Sequence, residues 1–239
     1  MSSDDREFFA SAEKDLMAGI DTSVPHSARI WNYWLGGKDN FPVDQEAGDA
    51  YTAVFPGIIE VARISREFLG RTVRHLAAEE GVRQFLDVGT GLPSEENTHQ
   101  VAQRVAPECS IVYVDNDPLV LVHARALLTG GRKGSTHYVE ADLHEPEKII
   151  ELAREHLDFG QPIALMLMGI MGHVPADDRA LSIVRRLVDG LPSGSYLTLY
   201  DGTDTDTAFL EAQKGYDDTG AVPYRLRGPE QIARFFDGF

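Results

Sequence analysis

Gln84-Phe-Leu-Asp-Val-Gly-Thr-Gly-Leu-Pro93 is an apolar run that breaks into a Gly-x-Gly turn. A buried parallel strand shows as a short hydrophobic run, and glycines at its carboxyl end let the backbone approach a ligand that side chains would hold away. A second run, Ile111-Val-Tyr-Val-Asp-Asn-Asp117, ends in the acid Asp115. In an open α/β sheet a carboxylate at that place grips ribose, because it can accept from two vicinal hydroxyls of a ligand lying over the strand ends. The two runs together predict a nucleoside-binding half-site.

Which nucleoside follows from what the first loop lacks. A dinucleotide fold brings a helix N-terminus and its amides to a pyrophosphate. Here Gly89-Thr-Gly91 continues as Leu-Pro-Ser-Glu-Glu96, so Pro93 removes an amide donor and Glu95 and Glu96 place negative charge where phosphate would sit. S-adenosylmethionine carries ribose and adenine without phosphate, and its sulfonium and ammonium suit an acidic mouth. Asp-x-Gly-x-Gly is a weak signal alone. It gains weight beside Tyr113-Val-Asp-Asn-Asp117 and Tyr138-Val-Glu-Ala-Asp-Leu143.

Composition bounds the rest. With 239 residues, 43% hydrophobic and 25% charged, the chain can bury one large core, and one globular unit with an added layer is expected. The expected division is a helical cap over 1–80 and a cofactor-binding core over 81–239. The net charge of −16 opposes a nucleic-acid substrate, whose phosphates are bound largely by Lys and Arg; the basic stretch Arg125 to Lys133 reads as a solvated helix end. No apolar run approaches the ~18 residues of a membrane span, and Met1-Ser-Ser-Asp-Asp5 is no secretory leader, so a cytoplasmic protein without membrane contact is expected. The lone Cys109 reads as a core or strand-edge residue, and no metal site is expected.

From Gln84 onward strands and helices alternate. Strands are predicted near 84–89, 110–115, 135–140, 162–169 and 195–201, with helices near 97–105, 117–128, 146–157, 176–190 and 205–215. Asp117-Pro118 and Glu145-Pro146 read as helix starts. Such alternation implies right-handed crossovers and a doubly wound, Rossmann-like parallel sheet. Ahead of it, Ile58 to Ala78 carries a helical apolar stripe with a small polar break at Ser65. Pro25 to Pro42 gathers Trp31, Tyr33, Trp34 and Phe41 around Gly36-Gly37, beside Arg29, Lys38 and Asn40. Trp31 and Trp34 read equally as anchors of an N-terminal helix. Tyr33, Lys38 and Asn40 read as parts of a lid, since polar groups among aromatics beside glycines suit a mobile cover over a ligand. The first loop offers the methionine carboxylate no cation, so Lys38 or Arg29 is expected to supply one.

Arg29-Ile-Trp-Asn-Tyr-Trp-Leu-Gly-Gly-Lys-Asp-Asn-Phe41, Phe85 to Pro93, Val114-Asp-Asn-Asp-Pro118 and Gly172-His-Val-Pro175 resemble the actinobacterial S-adenosyl methyltransferase family formerly classed as a domain of unknown function. The resemblance runs from about Pro25 to Phe239. It implies a class I methyltransferase fold that uses S-adenosylmethionine and releases S-adenosylhomocysteine. By the roles of that fold, Asp87, Gly89 and Gly91 would shape the pocket under the methionine moiety and Asp115 would take the ribose. Asn116 would lie beside adenine, Asp142 would accept from its amino group, and the Leu143 amide would reach a ring nitrogen; as a plain alternative, Asp142 is a turn aspartate. Such folds usually close with an antiparallel hairpin after the fifth strand; here that hairpin is expected to be missing, which leaves the sheet edge, and with it the surface of a possible homodimer, open.

Methyl transfer needs an acceptor held in line and, for an O or N nucleophile, a base. His173, in Met168-Gly-Ile-Met-Gly-His173 after the fourth strand, is the candidate base, or else a histidine hydrogen-bonded at a loop start. Met168 and Met171, beside Gly169 and Gly172, and Asp201 after the fifth strand are candidates to face a small-molecule acceptor. Two rival readings stand beside this one: a non-catalytic protein that binds the same cofactor, and a nicotinamide dehydrogenase that tolerates Pro93.

Overall fold

The three central strands owe their position to unbroken runs of apolar residues, which need cover on both faces. In the computed structural model, which describes residues 20–94, 96–120, 122 and 134–238, these runs are β1 (Gln84–Val88), β2 (Ser110–Asp115) and β4 (Ala164–Met168). With β3 (Ser135–Glu140) and β5 (Tyr196–Tyr200) they form one all-parallel sheet in the order β3-β2-β1-β4-β5. Side chains alternate across it. Leu86, Val88, Val112, Val114, Leu165 and Leu167 pack with Ile149, Ile150, Ile183 and Leu187 on one face, whereas Phe85, Ile111, Tyr113 and Met166 pack with Leu69, Val73 and Val101 on the other. Each such side chain, taken fully out of water, contributes ~1.5–3 kcal/mol.

The helices supply that cover. On the first face lie α5 (Pro146–Ala153) and α6 (Asp177–Asp189); on the second lie α3 (Ile58–Ala78) and α4 (Thr98–Val105). The apolar stripe read over residues 58–78 is the buried side of α3, with Ser65 and Gly70 set in it. The predicted strands agree with the observed ones to within two residues at each end. Helix α5 ends at Ala153, short of the predicted 157: beyond it the Glu155 and His156 amides bond only three residues back, to the Leu152 and Ala153 carbonyls, so the last turn tightens. Asp117 accepts from the Leu119 amide at 2.8 Å, as a helix start requires. Most of the helix predicted to follow, the basic stretch Arg125 to Lys133, the segment Met1 to Asp5 and Glu95 lie outside the described residues.

A further helical layer closes the end of the sheet where the strands point. It contains α1 (Ser27–Trp34), α2 (Pro42–Val54) and α7 (Thr207–Asp217). Ile30, Tyr51, Ile58, Ala212 and Tyr216 make one apolar cluster, and the Tyr51 hydroxyl donates to Gln213 Oε1 at 3.2 Å, across 162 residues of chain. Asp206 caps α7 by accepting from the amides of Ala208 and Phe209 at 2.8 and 3.0 Å. The chain then returns beside the sheet, where the Arg225 amide donates to the Gly172 carbonyl at 2.8 Å and the Arg227 amide to that of Gly202 at 3.1 Å. Arg227 is 1% exposed; its guanidinium donates to the Met171 carbonyl at 2.8 Å, to the Val174 carbonyl and to Asp177 Oδ1 at 3.0 Å.

Candidate active site

Strand order reverses between β1 and β4, and a crevice opens there beyond the carboxyl ends of the strands. Gly89 and Gly169, the residues that follow β1 and β4, both have positive φ (+74° and +73°). A Cβ on Gly89 would come within 2.5 Å of the Ile170 side chain, so the residue is required for conformation and for space. The crevice holds a cavity of about 370 Å³. Asp87, Gly89, Asp115, Asn116, Asp142, Leu143, Met168 and His173 all line it, together with Trp31, Ser65, Arg66 and Tyr200. Gly91 lies in the same loop and is tied to Asp115.

The carboxylates are arranged differently from a plain reading of the motif. Asp115 Oδ2 accepts from the Gly91 amide at 2.8 Å, and Oδ1 accepts from the amides of Asn116 and Asp117 at 2.8 and 2.9 Å. A carboxylate offers about four lone-pair sites, so three are engaged and one remains. Asp115 thus holds the glycine loop through three backbone amides while lining the cavity. Asp87 is buried, accepts from Thr98 Oγ1 at 2.6 Å, and is pushed up to about 6 by burial, against the pull of Thr98 and Arg66. Asp142 Oδ1 accepts from the His144 amide and lies 2.8 Å from its Nδ1. Burial raises the Asp142 carboxyl, but these hydrogen bonds outweigh it and hold the group below its ordinary value.

His173 sits in a 3₁₀ turn, Met171–His173, with its Nδ1 3.1 Å from the Pro223 carbonyl oxygen. A carbonyl only accepts, so Nδ1 carries the proton and Nε2 keeps its lone pair. Burial lowers the His173 pKa, which keeps the ring neutral near pH 7. The imidazole meets the Tyr224 ring edge-on, 5.0 Å between centroids.

Several expected residues lie elsewhere. Arg29 is 3% exposed and turned inward, with Nε at 3.1 and 3.0 Å from the two Asp44 oxygens and its other nitrogens on the Asp21 and Val24 carbonyls. It holds α1 to α2 and is absent from the cavity wall. Lys38 is exposed and also outside the wall. The Tyr33 hydroxyl donates to Asp49 at 2.7 Å, and Asn40 bonds with Asn32, Gly37 and Gln45, so it props Asn32 rather than lining the cavity itself. Met171 is fully buried in the core below the turn and cannot meet a substrate. Asp201 faces a second, smaller cavity. Glu96 turns to Arg104, 2.7 Å away, and is not in the wall, so it places no charge in the cavity.

Sequence reasoning passed over Arg66 and Tyr200. Arg66 is the arginine of the cavity wall; it donates to the Glu96 carbonyl at 3.2 Å and approaches Asn97 Oδ1 at 3.4 Å. Its signal was the polar break at Ser65, where the apolar stripe of α3 passes the strand ends. Among the described residues no group of three or more His, Cys, Asp or Glu side chains is placed to hold a metal ion, and no helix is long and apolar enough to cross a membrane.

A parallel sheet with its reversal beside β1, a glycine turn there and an acid at the tip of β2 is the nucleoside-binding arrangement found in class I S-adenosylmethionine-dependent methyltransferases. The chain belongs to the S-adenosyl methyltransferase family, whose model matches residues 13–239. Two solved structures are similar over most of their length. A DUF574 family protein from Streptomyces avermitilis MA-4680 is 44% identical, with a TM-score of 0.87 over 91% of this chain and 84% of that one. A proposed methyltransferase from Thermobifida fusca YX is 40% identical, with a TM-score of 0.87 over 92% of this chain and 83% of that one. No curated protein matches the chain. The family does not favour the dehydrogenase or the non-catalytic reading.

Proposed function

We propose that the enzyme methylates an oxygen or nitrogen of a small molecule, with S-adenosylmethionine held in the 370 Å³ cavity. The residues fit that donor. The remaining lone pair of Asp115 suits a ribose hydroxyl, and Asn116, Asp142 and Leu143 edge the space for adenine. At the methionine end, the Asp87 carboxylate suits the ammonium and the Arg66 guanidinium the carboxylate, a cation at the mouth that takes the place expected of Lys38 or Arg29. The bound donor supplies an electrophilic methyl group. A small acceptor is favoured because α1 and α3 stand over the strand ends, with Trp31, Asn32, Leu35, Ser65 and Leu69 in the cavity wall.

The observation that carries the reading is the 3.1 Å contact of His173 Nδ1 with the Pro223 carbonyl oxygen, which assigns the proton to Nδ1. A neutral imidazole with Nε2 unprotonated in the cavity wall can take the proton of a hydroxyl or amine as the methyl is transferred. His173→Gln should lower kcat about 10²–10⁴-fold on an identified acceptor while S-adenosylhomocysteine binds as before. Full turnover in that variant rules out the assignment of His173 as base.

A further inference from the structure

Beside the first cavity lies a second, of about 90 Å³, and Ser27, Trp31 and Tyr200 line both. Ile30, Ile58 and Phe209 make its wall apolar. Beyond the shared edge, the polar side chains of the wall are spent inside the protein. Trp34 Nε1 donates to the Gly48 carbonyl at 3.2 Å and the Tyr51 hydroxyl to Gln213 Oε1 at 3.2 Å. Gln213 Nε2 donates to Asp217 Oδ1 at 2.9 Å and the Tyr216 hydroxyl to the Val222 carbonyl at 3.3 Å. The Asp201 carboxyl is 0% exposed and is held by the Tyr224 hydroxyl and the amides of Gly172 and Gly202, so it meets no ligand. A space with no group left to pair disfavours a polar occupant, whose own donors and acceptors would be stranded. Apolar cavities stay dry and take up small hydrocarbon groups instead. The candidate base is close by: the Tyr224 ring, part of this wall, meets the His173 imidazole edge-on with 5.0 Å between centroids.

We propose that this second cavity seats the apolar end of the methyl acceptor, a short aliphatic alcohol or amine whose O–H or N–H stays in the first cavity at His173 Nε2. The inference rests on the proposed function above and supplies its substrate class. Size sets the length of the chain. At about 90 Å³ the space is smaller than the ~150 Å³ in which an apolar cavity takes a benzene ring, so about three to five carbons fill it. Position sets the polarity. The two cavities meet along Ser27, Trp31 and Tyr200, so one end of the chain lies among hydrocarbon side chains and the other beside the base. A second hydroxyl at the far end would find no partner.

The test uses the full chain and titrates ethanol, propan-1-ol, butan-1-ol, hexan-1-ol and butane-1,4-diol by ligand-observed NMR, with and without S-adenosylhomocysteine. Each buried CH₂ group is worth about fourfold in affinity, so binding should tighten from ethanol to butan-1-ol and level off by hexan-1-ol. Butane-1,4-diol should bind at least about tenfold more weakly than butan-1-ol. Intermolecular NOEs should join the terminal methyl group of butan-1-ol to Phe209 ring protons and its carbinol CH₂ to the imidazole protons of His173. Val61 lines the cavity and is 37% exposed, so Val61→Phe can fill the space at its rim without disturbing the core. It should abolish the gain with chain length and leave S-adenosylhomocysteine affinity unchanged. Diol binding as tight as that of butan-1-ol, affinity that does not rise with chain length, a reversed NOE pattern, or a rise that survives Val61→Phe would overturn the inference. If Val61→Phe does not fold, the alcohol series and the NOE pattern decide. Failure of the wild-type chain to bind S-adenosylhomocysteine counts against the cofactor assignment alone, and the series without it still decides the second cavity.

Discussion

Asp115→Asn probes both duties of the carboxylate at the tip of β2. The amide has one acceptor oxygen, and if that oxygen keeps the amides of Asn116 and Asp117, the NH₂ group is turned to the Gly91 N–H, donor against donor. One backbone amide then loses its partner, at a cost of ~1–3 kcal/mol in stability, read as a lowered urea midpoint. The acceptor proposed to face the ribose is lost as well. Hydrogen bonds to charged groups contribute ~1.5–3 kcal/mol, so S-adenosylhomocysteine should bind about ten- to a hundredfold more weakly by calorimetry. Loop damage and ribose contact are separated by repeating the titration with the 2′,3′-dideoxy analogue. If Asp115 touches ribose, the variant should lose little further affinity for that analogue. Unchanged affinity for S-adenosylhomocysteine, or an equal loss with both ligands, would refute the ribose contact and leave Asp115 as a loop tether.

Three further outcomes follow from the site. Arg66→Met should weaken S-adenosylhomocysteine about ten- to a hundredfold while adenosine affinity changes little, because only the former has a carboxylate to pair; equal losses for the two ligands refute the pairing. Asp87 has a folded pKa of about 6, above its ordinary 3.8. Its protonated form is therefore the one the empty folded state favours: its stabilising effect is full below about 3.8 and is lost as pH rises through 6. A ligand ammonium needs the ionised form, so S-adenosylmethionine affinity should rise up to about tenfold per pH unit toward 6 and level off above it; Asp87→Asn should flatten that profile in calorimetric titrations. Arg227→Met should destabilise the fold by about 3–5 kcal/mol in chemical denaturation, since Asp177 and the carbonyls of Met171 and Val174 lose their buried partner. A cost below about 1 kcal/mol would show that the guanidinium is not what fixes the turn bearing His173.

The sheet was legible because parallel strands buried on two faces write themselves as runs, and β2 and β3 were placed to the residue. The strand tips were legible too: Gly89, Asp115, Asp142 and His173 each follow or end a strand, and the topology alone brings them to one crevice. What could not be read was which cation comes across from the helices. Arg29 lies in the most suggestive motif of the chain, yet Asp44, fifteen residues on, claims it; Arg66 lies in an ordinary amphipathic helix and reaches the cavity. Charge pairing across such separations is decided by how α1, α2 and α3 pack, and local sequence carries no record of that. The same holds for Met171, where the 3₁₀ turn drives the side chain into the core, while its neighbours Ile170 and His173 remain at the surface of the cavity.

The hydrogen bond between Tyr51 and Gln213 bears on the order in which the molecule is built. The wall of the second cavity combines Trp31 and Trp34 of α1 with Phe209, Gln213 and Tyr216 of α7, so that space does not exist on a chain that has been synthesised only through β4. Contacts of such long sequence separation form late and carry a large closure entropy. Nascent chains stalled before α7 should therefore lack the second cavity even with all of β1 to β4 in place, and protection of Trp34 from solvent quenchers can serve as a timer for completion of the fold.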